Sequence, residues 1–147
     1  MPIIPPITAG PAAGYYAGQT DVESIFGTSN VATWSQLDNT ISGPDESRIQ
    51  SALDWADAQI NSFFRDGPYT IPLADAADAA ITTRWAATLA GVWLYTSRGL
   101  RDDNRDGDKL TTMMADVMAD MAAYKSGVKR LAAARRWPTP TSPAAAG

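Results

Sequence analysis

The chain has 147 residues, with 12 basic and 16 acidic side chains, no cysteine, no histidine and a net charge of −4. This length fits one domain whose core is large enough to fold without crosslinks. The missing residue types exclude disulfides, thiol nucleophiles, Cys/His zinc sites and histidine general bases. The acidic balance disfavours broad binding to nucleic-acid phosphates.

The sequence also predicts no membrane contact. No apolar run approaches the roughly 18 residues that suggest a membrane span. The N-terminus is rich in proline and lacks the basic region of a signal peptide, so we expect a protein that is made in the cytoplasm.

Both ends of the chain are rich in proline. Residues 1–18 hold four of the ten prolines, and residues 137–147 hold three more. Neither end can be a continuous helix, because proline lacks the backbone N–H and clashes with the preceding turn. We predict an extended N-terminal arm over 1–18, a helical domain over 19–131 and an extended C-terminal arm over 132–147. The same composition is also typical of disordered tails.

The middle of the chain predicts an all-α fold, a small bundle of about four helices. Apolar residues recur at three- and four-residue steps over about 20–27, 44–64, 76–97 and 106–127. The segment 30–37 is compatible with either a helical turn or a loop. The spacing predicts a core where the last three helices meet, formed by Leu53, Ile60, Trp85, Leu89, Val117 and Met121.

Several residues predict where the helices begin and end. Thr20 with Glu23 three residues later has the spacing of a capping box, and Gly27 marks the stop of the same helix. Pro44 stands at a favourable first helical position. Gly91 indicates that a neighbouring element approaches its helix closely.

An acidic run at 102–108 resembles the front of a calcium-binding loop. Asp102, Asn104 and Asp106 would fill positions one, three and five of such a loop, but the twelfth position is Met113 instead of the bidentate glutamate that calcium loops need. We therefore expect no metal site. The acidic residues of this run are instead expected to be exposed or to face a channel: Asp102, Asp103, Asp106 and Asp108.

Nothing else in the sequence assembles an active site, so we expect no enzyme and no cofactor. Asp54 and Asp57 lie three residues apart without a partner base, and a solvated helix face is the simpler interpretation. Four methionines between 113 and 121 could form a binding groove. Their helical spacing is more typical of core.

A basic and aromatic cluster follows the last helix. Arg and Trp are the side chains that dominate protein–protein hot spots, and a basic helix end is also favoured by the helix dipole. The residues that we assign to partner binding are Arg130, Arg135, Arg136 and Trp137, together with Tyr15 and Tyr16 in the N-terminal arm.

The order of five short motifs adds a resemblance. Residues 21–27, DVESIFG, and 49–60, IQSALDWADAQI, are similar to two helices of the small head–tail connector (adaptor, or head-completion) proteins of tailed bacteriophages, with patterns D-L-x-x-x-F-G and I-x-x-A-L-x-D-A-x-x-x-I. Residues 69–73, YTIPL, resemble the Y-x-L-P-L of that family. Residues 90–95 and 127–131 resemble its A-x-x-L-Y and G-K/V-x-x-L helix ends. The resemblance covers about residues 20–131.

The resemblance implies a structural virion protein assembled in the host cytoplasm. Such proteins form a ring, usually of twelve copies, which docks on the portal protein, extends the DNA channel and carries the stopper or tail-completion protein. Double-stranded DNA would pass through without specific binding, since an acidic lumen repels it. The alternative is a cytoplasmic helical protein-binding module, calcium-responsive through the loop at 102–108.

Overall fold

The computed structural model describes residues 12–36, 44–98 and 105–132, with the backbone alone for 105–108. The described part is all α-helical: α1 Gln19–Phe26, α2 Thr28–Ser35, α3 Glu46–Phe64, α4 Ala79–Ser97 and α5 Arg105–Ser126, with one 3-10 turn at Ala76–Asp78 before α4. Its residues form no β-sheet; Ala13 and Gly18 make an isolated bridge. The predicted all-α class is confirmed, and residues 30–35 of the segment left open between turn and loop belong to the additional helix α2.

Helix α4 is the centre of the bundle. The other four α-helices pack against it, and α3 makes the most extensive interface. The mixed, mostly apolar sequence of α4 explains this position, because a helix that is apolar on most faces must be covered on most faces. All six residues predicted for the core are buried, as are most apolar side chains of α4.

An aromatic cluster joins α3, α4 and α5. Phe64 at the end of α3 stacks on Trp85 of α4 at 5.7 Å between ring centroids, with the planes 20° apart. Trp85 meets Tyr124 of α5 edge to face. Offset and edge-to-face pairs of this kind stabilise a core beyond the area that they bury.

Gly91 lets α1 approach α4, as the sequence predicts. A Cβ atom at this position would lie 2.0 Å from Cε2 of Phe26, so a side chain is excluded. Gly27 ends α1 with a φ of 95° and Gly127 follows α5 with a φ of 94°. Both lie in the left-handed region that glycine adopts without strain.

Two helix starts differ from the prediction. Helix α1 begins at Gln19 instead of after Thr20, and the residue that reaches back is Asp21, which accepts a hydrogen bond from the Gly18 N–H at 2.8 Å. Helix α3 begins after Asp45, whose carboxylate accepts from the backbone of Ser47 and Arg48. Asp45 is thus the N-cap of α3, whereas the N-cap of α1 is Gly18 and Asp21 binds the N–H of Gly18 from the first turn.

The prediction that residues 1–18 lie outside the helical body is wrong for residues 12–18. Ala12, Tyr16 and Ala17 belong to the buried core. Small and aromatic side chains between the prolines and α1 let this segment lie flat against α3 and α4. Residues 1–11 and 133–147, which include most of both predicted arms, lie outside the described residues.

Candidate partner-binding surfaces

Residues 12–18 form a strap that is hydrogen-bonded along its length to α3. Gln50 bonds both the N–H and the carbonyl of Ala13, at 3.1 and 2.7 Å. About two helical turns further along α3, the carboxylate of Asp57 accepts from the N–H groups of Tyr15 and Tyr16, at 2.7 and 3.2 Å. The strap therefore stays in place through polar contacts as well as through burial.

The solvated-face interpretation of Asp57 is wrong, since its carboxylate is half-buried under the strap. Burial raises the pKa of Asp57 above its usual range, although the two N–H groups of the strap act in the opposite direction. Asp54, in contrast, is exposed and accepts from Gln50. Asp57 thus holds the strap, whereas Asp54 contacts only the Gln50 side chain that bonds Ala13.

Tyr16 links the strap to two further parts of the fold. Its hydroxyl donates to Asn61 on α3 and accepts from the N–H of Leu73, at 2.9 Å. Its carbonyl accepts from the Thr83 hydroxyl of α4, at 2.7 Å. Tyr16 is 6% exposed, so its side chain belongs to the core and is not available as a docking residue.

Tyr15 has the opposite character. Its side chain is 58% exposed and meets the ring of Tyr16 edge to face, at 4.9 Å between centroids. The contact with the buried Tyr16 ring restricts the Tyr15 ring. A restricted side chain loses less entropy when it binds a partner. The assignment of Tyr15 to partner binding stays a prediction.

The segment after α5 is fixed by a second set of contacts. Lys129 Nζ and Trp85 Nε1 both donate to the carboxylate of Asp120, at 2.8 and 2.9 Å. Burial alone would raise the pKa of Asp120, but these two hydrogen bonds and the Lys129 charge outweigh it and lower the pKa. The Leu131 N–H donates to the Tyr69 hydroxyl.

The next residues of the chain, Leu131 and Ala132, are also fixed against the body of the protein. Leu131 is buried, and the Ala132 N–H donates to Asp78 at the start of α4, at 2.8 Å. Arg130 is exposed between these fixed neighbours. The other members of the predicted basic cluster, Arg135, Arg136 and Trp137, lie outside the described residues.

An open groove of about 450 Å³ runs between α1, α4 and α5. It combines apolar side chains with two carboxylates and one arginine: Ile25, Arg84, Trp85, Thr88, Met113, Asp116, Val117 and Asp120. Ile25 at its edge is 37% exposed. Helix α5 leaves this groove open because it packs mainly on α4.

The methionine-rich face of α5 is partly core and partly surface. Met121 is fully buried and Met118 is 38% exposed, while Met113 and Met114 are packed against the edge of the core. The core interpretation therefore holds for Met121. Met118 and Met114 border a shallow depression with Val92 and Tyr95 on α4.

The acidic run at 102–108 lies largely outside the description. The side chains of Asp102, Asp103, Asp106 and Asp108 are not among those described. The backbone is helical from Arg105 onwards, so positions five to twelve of the conceivable calcium loop fall within a helix. A calcium loop wraps its ligands around the ion at these positions, and a helix cannot do so.

The described residues contain no group of three or more acidic side chains placed to hold a metal ion. Within the same residues, no helix has both the length and the apolar character needed to cross a membrane.

The chain matches one known protein family. Residues 16–146 match the family described as Bacteriophage Mu, Gp36. The chain belongs to this bacteriophage protein family. No curated protein and no solved structure matches the chain significantly.

The match to the Mu Gp36 family covers the strap from Tyr16 onwards, all five helices and residues 133–146. The C-terminal segment is therefore part of what the Mu Gp36 family shares.

The sequence does not predict the roles of Asp57 and Asp120. A carboxylate on a polar helix face is expected to be solvated unless the segment that covers it is known. The position of Asp57 below two consecutive tyrosines gave no local signal.

Proposed function

We propose that this protein is a structural component of the head–tail connector, or neck, of a phage virion. In this role it forms a ring on the portal, extends the DNA channel and provides the platform for the stopper or tail. Membership of the Mu Gp36 family over residues 16–146 carries the proposal, since it assigns the chain to a bacteriophage. The five connector-like motifs supply the finer role.

The described geometry supports a structural role. Its carboxylates with shifted pKa values, Asp57 and Asp120, are both occupied by hydrogen bonds that hold chain segments in place. A catalytic carboxylate needs instead an oxygen that is free to reach a substrate, whereas both oxygens of Asp57 and of Asp120 accept hydrogen bonds from the protein.

A ring of identical subunits needs two unlike surfaces on each subunit, so that a head-to-tail contact closes on itself. The described part of the chain has such surfaces. The strap with exposed Tyr15 covers one side of α3. Elsewhere, the groove between α1, α4 and α5 exposes Ile25, and the separate depression between α4 and α5 exposes Met118. These surfaces expose large apolar side chains of the kind enriched at interfaces.

The test is co-expression of the full chain with the portal protein of the same phage. We expect the two to purify together, and electron microscopy to show a second ring on the portal. Sedimentation of the isolated chain measures whether the ring also forms without the portal.

A chain that remains a monomer at high concentration and never joins portal particles would contradict the proposal. The acidic net charge predicts in addition that a DNA fragment is not retained by the purified ring at moderate salt.

A further inference from the structure

The groove between α1, α4 and α5 continues beyond Met113 into a second pocket. This pocket has a volume of about 120 Å³, shares Ile25 and Met113 with the groove, and reaches Trp34 of α2 and Lys109 of α5. The part of α5 that borders both pockets, from Lys109 to Asp120, is about 16 Å long, which is the length of about five extended residues. The two pockets together are the long groove.

The chemistry of the long groove suits an apolar segment without charge. Ile25, Met113 and Val117 give it apolar surface, and the first two of these side chains are at least partly exposed. The charged side chains among its described lining residues balance in sign: Arg84 and Lys109 against Asp116 and Asp120. A charged occupant therefore gains no net attraction from them, whereas an apolar occupant removes its own surface and that of the groove from water.

Residues 1–11, MPIIPPITAGP, which form the N-terminal segment, have this character. They contain three isoleucines and no charged side chain. The other segments outside the described residues all carry charge, with one aspartate in 37–43, three charged side chains in 99–104 and two arginines in 133–147. The four prolines of the N-terminal segment also restrict its backbone, so that it loses less entropy when it is ordered on a surface.

The N-terminal segment begins at the strap, which lies against α3, whereas the long groove lies between α1, α4 and α5. The segment precedes Ala12, whose N–H donates to the Gln19 side chain at 3.0 Å, and Ala13 is bonded to Gln50 of α3. Its residues span up to about 36 Å when extended, well beyond the radius of gyration of about 13 Å that is typical of a 100-residue domain. The segment is therefore long enough to reach an adjacent copy.

We propose that the N-terminal segment of one copy docks in the long groove of the next copy, with its isoleucines against Ile25 and Met113. This rests on the proposed ring, in which the strap side of each subunit faces the groove side of its neighbour. A segment that is passed on in one direction makes two unlike surfaces complementary, which is the contact that a closed ring needs.

Chemical crosslinking tests where the segment docks. The chain has no cysteine, so Ile4→Cys and Ile25→Cys in one full-length chain provide its only two thiols. A short bismaleimide bridges them if the segment lies in the groove, and each bridge should join two copies, which gives a ladder of linked chains on a denaturing gel. The matched control is Ile4→Cys with Val128→Cys, because Val128 is 81% exposed and is not part of the long groove. The control should link at least about tenfold more slowly.

Charged substitutions test whether the contact drives assembly. Ile3→Asp with Ile4→Asp places two carboxylates on the isoleucine pair, and Thr8→Asp with Ala9→Asp adds the same charge elsewhere in the segment. We expect the isoleucine variant to need about tenfold or more protein for assembly in sedimentation velocity, because a charge is costly to bury in an apolar groove. The control variant should assemble like wild type. Circular dichroism checks that each variant folds.

A substitution in the groove completes a double-mutant cycle. Ile25→Asp places a charge on the other side of the same contact and should weaken assembly as Ile3→Asp with Ile4→Asp does. All three substitutions together should weaken it little more than either change alone, because residues that share one contact are not additive. Losses that add in full would assign the segment and Ile25 to separate contacts and overturn the proposal.

The outcomes separate this contact from the proposed function. If crosslinking gives a faster-migrating monomer instead of a ladder, the segment fills its own groove and docking between copies is wrong. If Ile25→Cys links no faster than Val128→Cys, the groove has another occupant and the proposal fails. If Ile3→Asp with Ile4→Asp forms portal-bound rings as wild type does, the contact is wrong and the connector role stands. If the ladder forms but wild type never joins the portal, the connector role fails and the contact between copies remains.

Discussion

At the scale of single residues, Asp57 does the most to fix the N-terminal strap. Its carboxylate accepts from two consecutive backbone N–H groups, one on each oxygen. Its raised pKa means that the folded protein binds the proton of Asp57 more tightly than the unfolded chain does. The contribution of this group is thus fully present below its unfolded pKa of 3.8 and falls as pH rises through the folded value.

Replacing Asp57 should release the strap. Asp57→Ala removes both acceptors and leaves the N–H of Tyr16 without a partner, which should lower the free energy of unfolding by about 1–3 kcal/mol. Hydrogen exchange should accelerate at the amides of Tyr15 and Tyr16. Asp66→Ala, at an exposed turn after α3, is the matched control and should leave both measurements unchanged. Unchanged exchange in Asp57→Ala would mean that burial alone holds the strap.

The raised pKa of the Tyr16 phenol predicts that the folded protein loses stability at high pH. Burial is the largest cause that raises the pKa of its phenol, from 10.0 to about 12, and the Leu73 N–H opposes it. Because the folded pKa is higher than the unfolded one, the stability contribution is present below pH 10 and is lost as pH rises towards 12. Tyr16→Phe should cost about 1–3 kcal/mol at neutral pH, since the Leu73 N–H loses its acceptor.

The alkaline test compares urea unfolding of wild type and Tyr16→Phe between pH 9 and about 11. The contact with Asp120 also raises the pKa of Lys129, but Lys129 is present in both proteins, so the difference between them reports on Tyr16. The decline of stability with pH should be shallower in Tyr16→Phe. Parallel declines in the two proteins would assign the alkaline loss to another group.

At the scale of elements, the contact between α1 and α4 depends on one missing side chain. Gly91→Ala would place a methyl group inside the ring of Phe26. Overpacking of this kind costs about 1–3 kcal/mol, which exceeds the roughly 1 kcal/mol that alanine gains over glycine in a helix. We therefore expect a net loss of stability in urea unfolding.

A double-mutant cycle identifies the cause. Phe26→Leu in the Gly91→Ala background should recover part of the loss, because the smaller side chain makes room for the new methyl group. If the two changes are strictly additive, the helices move apart instead of straining the ring, and the close approach is not required.

Helix α5 carries the prediction about calcium. Positions five to twelve of the conceivable calcium loop lie in a helix that begins at Arg105, where they cannot wrap around an ion that needs six to eight oxygens. Calorimetry of the full chain with calcium should show no binding tighter than about 10⁻⁵ M, the weak end of sensor sites. Tighter binding would support the alternative function, a calcium-responsive protein-binding module.

The sequence predicts the long helices and their core well, and the short polar contacts poorly. Leu53, Trp85 and Met121 repeat at helical spacing, so their burial follows from the pattern alone. The predicted cap of α1 is wrong by two residues, because the N-cap is Gly18 instead of Thr20 and the carboxylate that reaches back is that of Asp21 instead of Glu23. The sequence predicts an arm where the strap lies, because one of the side chains that hold the strap against α3, Asp57, is about forty residues away in the chain.

At the scale of the whole molecule, the C-terminal boundary matters most for assembly. Leu131 is buried, and Ala132 is hydrogen-bonded to Asp78, so the folded body extends to Ala132. The match to the Mu Gp36 family continues to residue 146. Residues 133–146, with Arg135, Arg136 and Trp137, lie within the family match, and we propose that this segment docks on the portal.

Deleting residues 133–147 tests this assignment. The truncated chain keeps both the Tyr69 and the Asp78 contacts, so its helical content and urea midpoint should match wild type. It should fail to purify with the portal, because it lacks the Arg and Trp side chains that we expect to anchor the contact. The triple variant Arg135→Ser, Arg136→Ser, Trp137→Ser keeps the length and the prolines and should fail in the same way. A truncated chain that joins portals normally would make the segment a passive end. One that unfolds would show that the core extends beyond Ala132.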